Sequence, residues 1–217
     1  MIDNTAKIGA VAELAHKDFE ARTLARDQAL TRSRALIRHA ANAIRAIHRS
    51  ESELAHQHLN EGRELVDAMK NDLAAFPDLY YAGYTQDAIK EFCEATLTCA
   101  CIENQEIPSP DELGVIYSTY LRGMAETPGE LRRRTMDILR MGYGPEAERL
   151  LGLMDDIYSI LVTMDYPDAV TNGLRRQTDL LRGIVERTRA DLTLSLREEQ
   201  LKKLLRKNIE QYETHQN

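Results

Sequence analysis

At 217 residues the chain is long enough for one large helical domain or two small ones, and its six Pro and eleven Gly are few, which favours an all-α protein. No signal peptide opens the chain and no apolar run approaches the roughly 18 residues of a membrane span, so we expect a cytoplasmic protein with no membrane partner. Three cysteines without CxxC spacing argue against a zinc or disulfide framework. The net charge of −7 conceals a basic block, because residues 21–50 hold seven Arg against one acid.

The first predicted helix covers residues 5–49, in one or two pieces divided near Asp18, and carries the basic block. Apolar residues between positions 36 and 47 form a stripe about 100° wide. On a different face, four arginines at i, i+4, i+11 and i+15 lie within roughly 60° of one another: Arg34, Arg38, Arg45 and Arg49. Because each guanidinium stays charged and can engage two phosphate oxygens, this arginine stripe indicates a track for a nucleic-acid backbone. It also suits a solvated face that pairs with acids elsewhere or on another subunit.

Capping and breaking signals bound the next two helices. Ser50 followed by Glu53 has the spacing of a capping box and predicts a helix to about residue 75. The segment Phe76-Pro-Asp-Leu-Tyr-Tyr then breaks the helix, because its proline cannot continue it. A further helix opens near Thr85.

Similar signals divide the second half of the chain. Ser109 before Pro110 predicts an N-cap and a first helical position. Thr127 before a proline predicts another helix start, and the segment Gly142-Tyr-Gly-Pro predicts a stop and a restart. A last long helix is expected from about residue 168 towards 205.

Acidic residues share one face of the helix that opens near Thr85. Asp87, Glu91 and Glu94 fall within roughly 60° of one another, among apolar neighbours such as Phe92. Carboxylates held close together repel each other, and a hard cation such as Mg²⁺ relieves that repulsion. The pattern therefore indicates a metal site, although it also suits a solvated acidic edge of an amphipathic helix.

Two further acids follow an apolar run in the helix predicted over residues 145–164. Asp155 and Asp156 come directly after Leu150-Leu-Gly-Leu-Met, so at least one of them should lie near the core. Together the segments predict an all-α bundle of about seven long helices. We expect a single domain over residues 1–217, with a polar tail that frays from about residue 208.

Several of these segments resemble the translin/Trax family in order and approximate spacing, over about residues 20–200. They are the Arg-rich first helix ending Ile47-His-Arg, the Phe76-Pro-Asp-Leu-Tyr-Tyr break, Glu91-Phe-Cys-Glu94 and Leu150-Leu-Gly-Leu-Met-Asp155. The last two match the E-x-x-E and LLG-x-x-D patterns that the Trax subunit carries and translin lacks. The chain therefore resembles the catalytic, Trax-like subunit. One departure is Ser159, which stands where Trax has a further Glu; Asp156 or Asp87 could take over its role.

The resemblance implies an all-α protomer that assembles into a closed homo-octameric shell enclosing RNA, either single-stranded or a short duplex. It also implies endoribonuclease activity that depends on Mg²⁺ or Mn²⁺. The implied catalytic and metal-binding residues are Glu91, Glu94 and Asp155, and we expect Asp156 to act as an outer or substitute metal ligand. From their shared helical face, we expect Arg34, Arg38, Arg45 and Arg49 to bind RNA.

Two alternatives remain at the level of the sequence. One is a non-catalytic, translin-like protein that binds single-stranded RNA or DNA through the arginine stripe. The other is a helical-bundle protein of the di-iron or phosphate-signalling class. The di-iron class expects Glu-x-x-His pairs at its metal site, and the acidic segment Glu91–Glu94 has none, because Leu97 stands three residues after Glu94.

Overall fold

The computed structural model describes residues 4–215, with side chains to residue 211, and this part of the chain contains helices and no strands. Six helices have 17 or more residues and three have four. In chain order they are α1 (Asn4–His48), α2 (Ser52–Asp72), α3 (Pro77–Tyr80), α4 (Gly83–Ile102), α5 (Pro110–Leu113), α6 (Tyr117–Leu139), α7 (Pro145–Leu161), α8 (Asp168–Thr171) and α9 (Leu174–His215). The predicted all-α bundle is confirmed. No described helix is long and apolar enough to cross a membrane.

Several predicted helix ends agree with the structure. Ser109 caps α5, and its capping box includes Glu112. The break after residue 139 ends α6, and Pro145 starts α7. The last helix continues to His215, past the end expected near residue 205 and through the tail that we expected to fray.

The predicted start of α2 was wrong. Ser50 is not an N-cap but adopts a left-handed conformation, with φ of 60°. Its N–H donates to the carbonyl of Ile47 (3.0 Å) and the N–H of Glu51 donates to that of Ala46 (2.9 Å), which is the hydrogen-bond pattern of a Schellman motif. Ser50 therefore closes α1, and the chain turns directly into α2.

The predicted helix start at Thr127 was also wrong, because Pro128 lies inside α6. A proline inside a helix removes one backbone hydrogen bond, and the hydroxyl of Thr127 donates to the carbonyl of Gly123 one turn earlier (3.1 Å). Thr127 and Pro128 are both buried. Helix α6 packs against α4 on one side and against α7 and α9 on the other. Tertiary packing thus holds the helix through the proline.

The core consists of two adjoining apolar clusters. The first lies between α1, α2 and α4, and includes Leu36 and Phe92. The second lies between α6, α7 and α9, and includes Leu131 and Leu181. Because α4 and α6 pack directly against each other, the two helices join the clusters and form the centre of the bundle.

Candidate metal centre and nucleic-acid interface

Helix α4 presents Glu91 and Glu94 towards α6. The residues between them, Phe92 and Cys93, are buried and fix the rotation of the helix. With that face of α4 held in the core, the two glutamates, one turn apart, are left half-buried at the seam with α6.

A third carboxylate comes from α6. One oxygen from each of Glu91, Glu94 and Glu126 lies within 4.8 Å of the others; we call these three residues the carboxylate cluster. Gly123 makes the approach possible, because a Cβ there would lie 2.7 Å from Cβ of Cys93 and 3.0 Å from the backbone nitrogen of Glu94. The close contact of the helices therefore sets the geometry of the cluster.

A buried lysine supplies a positive charge beside the carboxylate cluster. Nζ of Lys90 lies 2.8 Å from Oε1 of Glu91 and also contacts Oε2 of Glu126. Burial alone would lower the pKa of Lys90, but the hydrogen bonds to these carboxylates outweigh it and raise the pKa above its ordinary value. The amide of Gln177 on α9 donates to the other oxygen of Glu126 (2.8 Å). Glu126 is thus oriented from two sides.

Glu94 is the member of the cluster without a counter-charge of its own, because it forms no ion pair with any described residue. Burial, followed by the negative charges of Glu126 and Glu91, raises the pKa of Glu94 to about 8, although the charge of Lys90 lowers it. Glu130 contributes in the same direction, although its own pKa is lowered by a hydrogen bond with His48 (2.6 Å). At neutral pH the carboxyl of Glu94 therefore carries a proton in the metal-free protein.

The composition of the cluster fits a hard divalent cation. Its ligands are all carboxylate oxygens, which Mg²⁺ and Mn²⁺ prefer. Three carboxylates, one ammonium group and one dication also sum to zero charge, so a cation would remove the electrostatic reason for the proton on Glu94.

The structure does not bring Asp155 to this cluster. Its carboxylate forms an ion pair with Arg189 on α9. On the same helix, Gln177, which donates to Glu126 of the carboxylate cluster, lies twelve positions before Arg189. The two residues are therefore about 18 Å apart along the helix axis. Asp156 is exposed. The residues on either side of these two acids, Met154 and Ile157, are buried instead.

Two other residues named in the resemblance to Trax also lie outside the carboxylate cluster. Ser159 is exposed on α7. Asp87 is exposed and accepts a hydrogen bond from Arg122 (2.8 Å), so it is engaged one helical turn before Glu91. Neither residue belongs to the carboxylate cluster.

All four arginines of the arginine stripe are exposed; Arg34, Arg38 and Arg45 lie on α1, and Arg49 directly follows its last residue. Arg34 and Arg38 form no ion pair within the part of the chain that the structure describes, Arg45 contacts the amide of Asn42, and Arg49 pairs with Glu51 (2.8 Å). A row of guanidinium groups with so few acidic partners leaves charge available for an anionic ligand.

Patterns in the sequence did not point to Glu126, Lys90 or Gln177. Glu126 precedes Thr127, the predicted start of a helix, so the sequence assigned its side chain to no helix face. Lys90 adjoins Glu91 and could have been noted as a neighbouring charge, but its burial depends on α6. No local pattern marks Gln177.

No protein-family model matches the chain. An uncharacterised protein of Methanocaldococcus jannaschii is 34% identical over 196 residues, which cover 89% of this chain and 84% of that protein. The structure of AfC3PO in complex with duplex RNA superimposes with a TM-score of 0.78 and 31% identity, covering 85% of this chain and 95% of that one. The crystal structure of apo-NeC3PO has a TM-score of 0.76 over 90% of this chain and 98% of that one, but at 20% identity it supports the fold alone.

Proposed function

The chain belongs to the translin family, which includes the C3PO proteins, and on that premise we propose that it binds RNA and cleaves it with the help of Mg²⁺ or Mn²⁺ held by the carboxylate cluster. The observation that carries the catalytic part is the convergence of three half-buried carboxylates from α4 and α6, with the pKa of one raised to about 8. Such perturbed groups are concentrated at functional sites.

RNA binding is supported by the arginine stripe and by the relative that has been solved with duplex RNA. We propose that Arg34, Arg38, Arg45 and Arg49 contact phosphates, because exposed guanidinium groups in a row match the repeat of a charged backbone. These contacts carry no base information, so binding should show little sequence preference.

In the proposed reaction, Glu91, Glu94 and Glu126 hold the cation, and Gln177 keeps Glu126 oriented. When bound, the cation would activate water and neutralise charge that develops on the phosphate. Lys90 holds the carboxylates together in the metal-free protein, and its ammonium group can donate to a phosphate oxygen once the cation has taken over that role.

The test is single-turnover cleavage of a labelled RNA in Mg²⁺ or Mn²⁺, with EDTA as the control. Glu91→Gln and Glu126→Gln remove a ligand charge and should slow cleavage by more than about 100-fold, since the loss of an outer partner alone typically costs about 10–100-fold. RNA binding should stay near the parent level. Cleavage at the parent rate by both variants would refute the proposed metal site.

Asp155 is the residue at which the family resemblance and the geometry differ. The resemblance gives it a catalytic role, whereas its ion pair with Arg189 gives it a structural one. On the geometry, Asp155→Asn and Asp156→Asn should both cleave RNA at close to the parent rate. Loss of cleavage in Asp155→Asn, with RNA binding retained, would return this residue to the site.

A second candidate function is favoured by Lys90, which already forms ion pairs with two of the three carboxylates. In that case the protein would be a non-catalytic, translin-like protein that binds RNA or DNA, with the cluster as a buried ionic network. It would bind RNA equally well with and without EDTA and would leave the RNA intact.

We also propose that the protein acts as a closed homo-oligomer, with eight subunits as the resemblance implies. Exposed apolar side chains near both ends of the chain support it, among them Ile8 and Phe19 on α1 and Leu201 and Ile209 on α9. Such residues in projecting helices typically become covered by other subunits. Native mass spectrometry with and without RNA tests this, and a stable 24.7 kDa monomer at micromolar concentration would refute it.

A further inference from the structure

A second cluster of metal-binding side chains lies between α1 and α2 and shares no residue with the carboxylate cluster. It consists of His39 on α1 and His58 and Glu61 on α2; we call it the histidine cluster. His58 and Glu61 are one helical turn apart on the same face of α2, and His39 reaches them because the Schellman turn at Ser50 folds α2 back against α1.

Three ligand atoms converge on one point in this cluster. Nδ1 of His39 lies 2.8 Å from Oε2 of Glu61, Nδ1 of His58 lies 3.3 Å from the same oxygen, and the two Nδ1 atoms are 3.3 Å apart. In a tetrahedral zinc site, bond lengths of about 2.0–2.1 Å place neighbouring ligand atoms about 3.3 Å from one another. The triangle in this protein is close to one face of such a tetrahedron.

The ligand atoms of the cluster face one another. Both Nδ1 atoms lie within reach of Oε2 of Glu61 and are 3.3 Å apart. A metal ion between them would accept a lone pair from each nitrogen and from the carboxylate oxygen. The other oxygen of Glu61 accepts a hydrogen bond from the amide of Gln57 (3.3 Å), which fixes the carboxylate from behind, as outer partners do in metal sites.

We propose that the histidine cluster binds a divalent transition metal of the Zn²⁺ class, with three protein ligands and an open position for water. Two imidazoles and one carboxylate suit zinc and its neighbours, whereas Mg²⁺ prefers oxygen ligands only. The side chains of His39 and His58 are only about one-fifth exposed, which shields the site while leaving it a path to solvent. A metal there links α1 to α2 and stabilises the hairpin that carries the arginine stripe.

The experiment is a titration of the full, EDTA-stripped protein with Zn²⁺ by calorimetry, in the presence of millimolar Mg²⁺ to saturate hard-cation sites. We expect one Zn²⁺ per chain and a rise in Tm on binding. His58→Ala and Glu61→Gln should each weaken binding by more than about 100-fold, beyond the effect of losing an outer partner. Glu61→Gln replaces a partly exposed side chain by one of the same shape. The fold of this variant can therefore be compared directly with that of the parent protein.

The matched control is His56→Ala. His56 is two residues from His58 on the same helix, but it pairs with Glu103 (2.8 Å) and lies outside the cluster. Parent-level zinc affinity in this control, together with loss in His58→Ala, supports the proposal. Equal affinity in the parent and in His58→Ala, or loss of zinc binding in Glu91→Gln, would overturn it.

Discussion

Binding of Mg²⁺ to the carboxylate cluster should displace a proton from Glu94. With a pKa of about 8 in the metal-free protein, this carboxyl is about 90% protonated at pH 7 and about 10% protonated at pH 9. A cation needs the ionised form, so binding should release about 0.9 proton per site at pH 7 and about 0.1 at pH 9. The groups facing Glu94 that set this behaviour are Lys90, Glu91, Glu126 and Glu130.

The same proton governs the stability of the metal-free protein. Because the pKa of Glu94 is raised from 4.5 to about 8 by folding, the unfolded chain loses this proton first as pH rises. The contribution to the free energy of unfolding therefore declines between pH 4.5 and 8, by about 3 kcal/mol at pH 7 and about 4–5 kcal/mol above pH 8. Glu94→Gln removes this loss, so the variant should exceed the parent in stability above pH 7 and match it near pH 4.5.

Calorimetry in buffers of different ionisation enthalpy measures the proton count, and urea unfolding across pH measures the stability difference. Asp156→Asn, which removes an exposed acid outside the cluster, is the control and should behave like the parent in both assays. A binding enthalpy that is independent of the buffer at pH 7 would refute the reasoning, because Glu94 would then already be ionised. So would equal stabilities of parent and Glu94→Gln at pH 8.

Two further predictions concern RNA binding and helix packing. Replacing the unpaired Arg34 and Arg38 by Ala should weaken RNA binding and reduce the slope of log affinity against log salt by about 1.4–1.8, since each phosphate contact contributes about 0.7–0.9. The control in this filter-binding assay is Arg182→Ala, which removes an exposed arginine paired with a glutamate. An unchanged slope in the double variant would assign the arginine stripe to another role. Gly123→Ala should destabilise the protein by about 1–3 kcal/mol or more, because the new Cβ meets the α4 backbone at 2.9 Å. Gly129→Ala in the same helix meets nothing within 4 Å and should instead stabilise by up to about 1 kcal/mol in thermal unfolding; equal effects of the two would contradict this account of the seam.

The sequence was informative wherever function depends on spacing within one helix. Glu91 and Glu94 are one turn apart, and the four residues of the arginine stripe repeat at helical spacing, so both sets could be located by counting residues. The structure brings the first pair together and exposes the second set as expected. The all-α bundle followed for the same reason, since helical periodicity is a local property.

The rest of the site depends on contacts between helices that are distant in sequence. Glu126 joins the cluster only because Gly123 lets α6 approach α4, and because Pro128 is held inside α6 by packing on both sides. Asp155 has the right local pattern but faces Arg189. Which side chain meets which across two helices is decided by tertiary packing, and neither periodicity nor capping rules contain that information.

The buried cysteine at the α4–α6 seam offers a way to time the opening of this seam. Cys93 is completely buried beside Gly123, and burial raises the pKa of its thiol to about 12, so in the closed protein it neither ionises nor meets a reagent. Alkylation of Cys93 can therefore proceed only through a transient separation of the two helices, and its rate under native conditions reports how often that separation occurs. Because the α4–α6 seam aligns the three carboxylates, the alkylation rate of Cys93 measures the opening of the site itself, in the absence of RNA and metal.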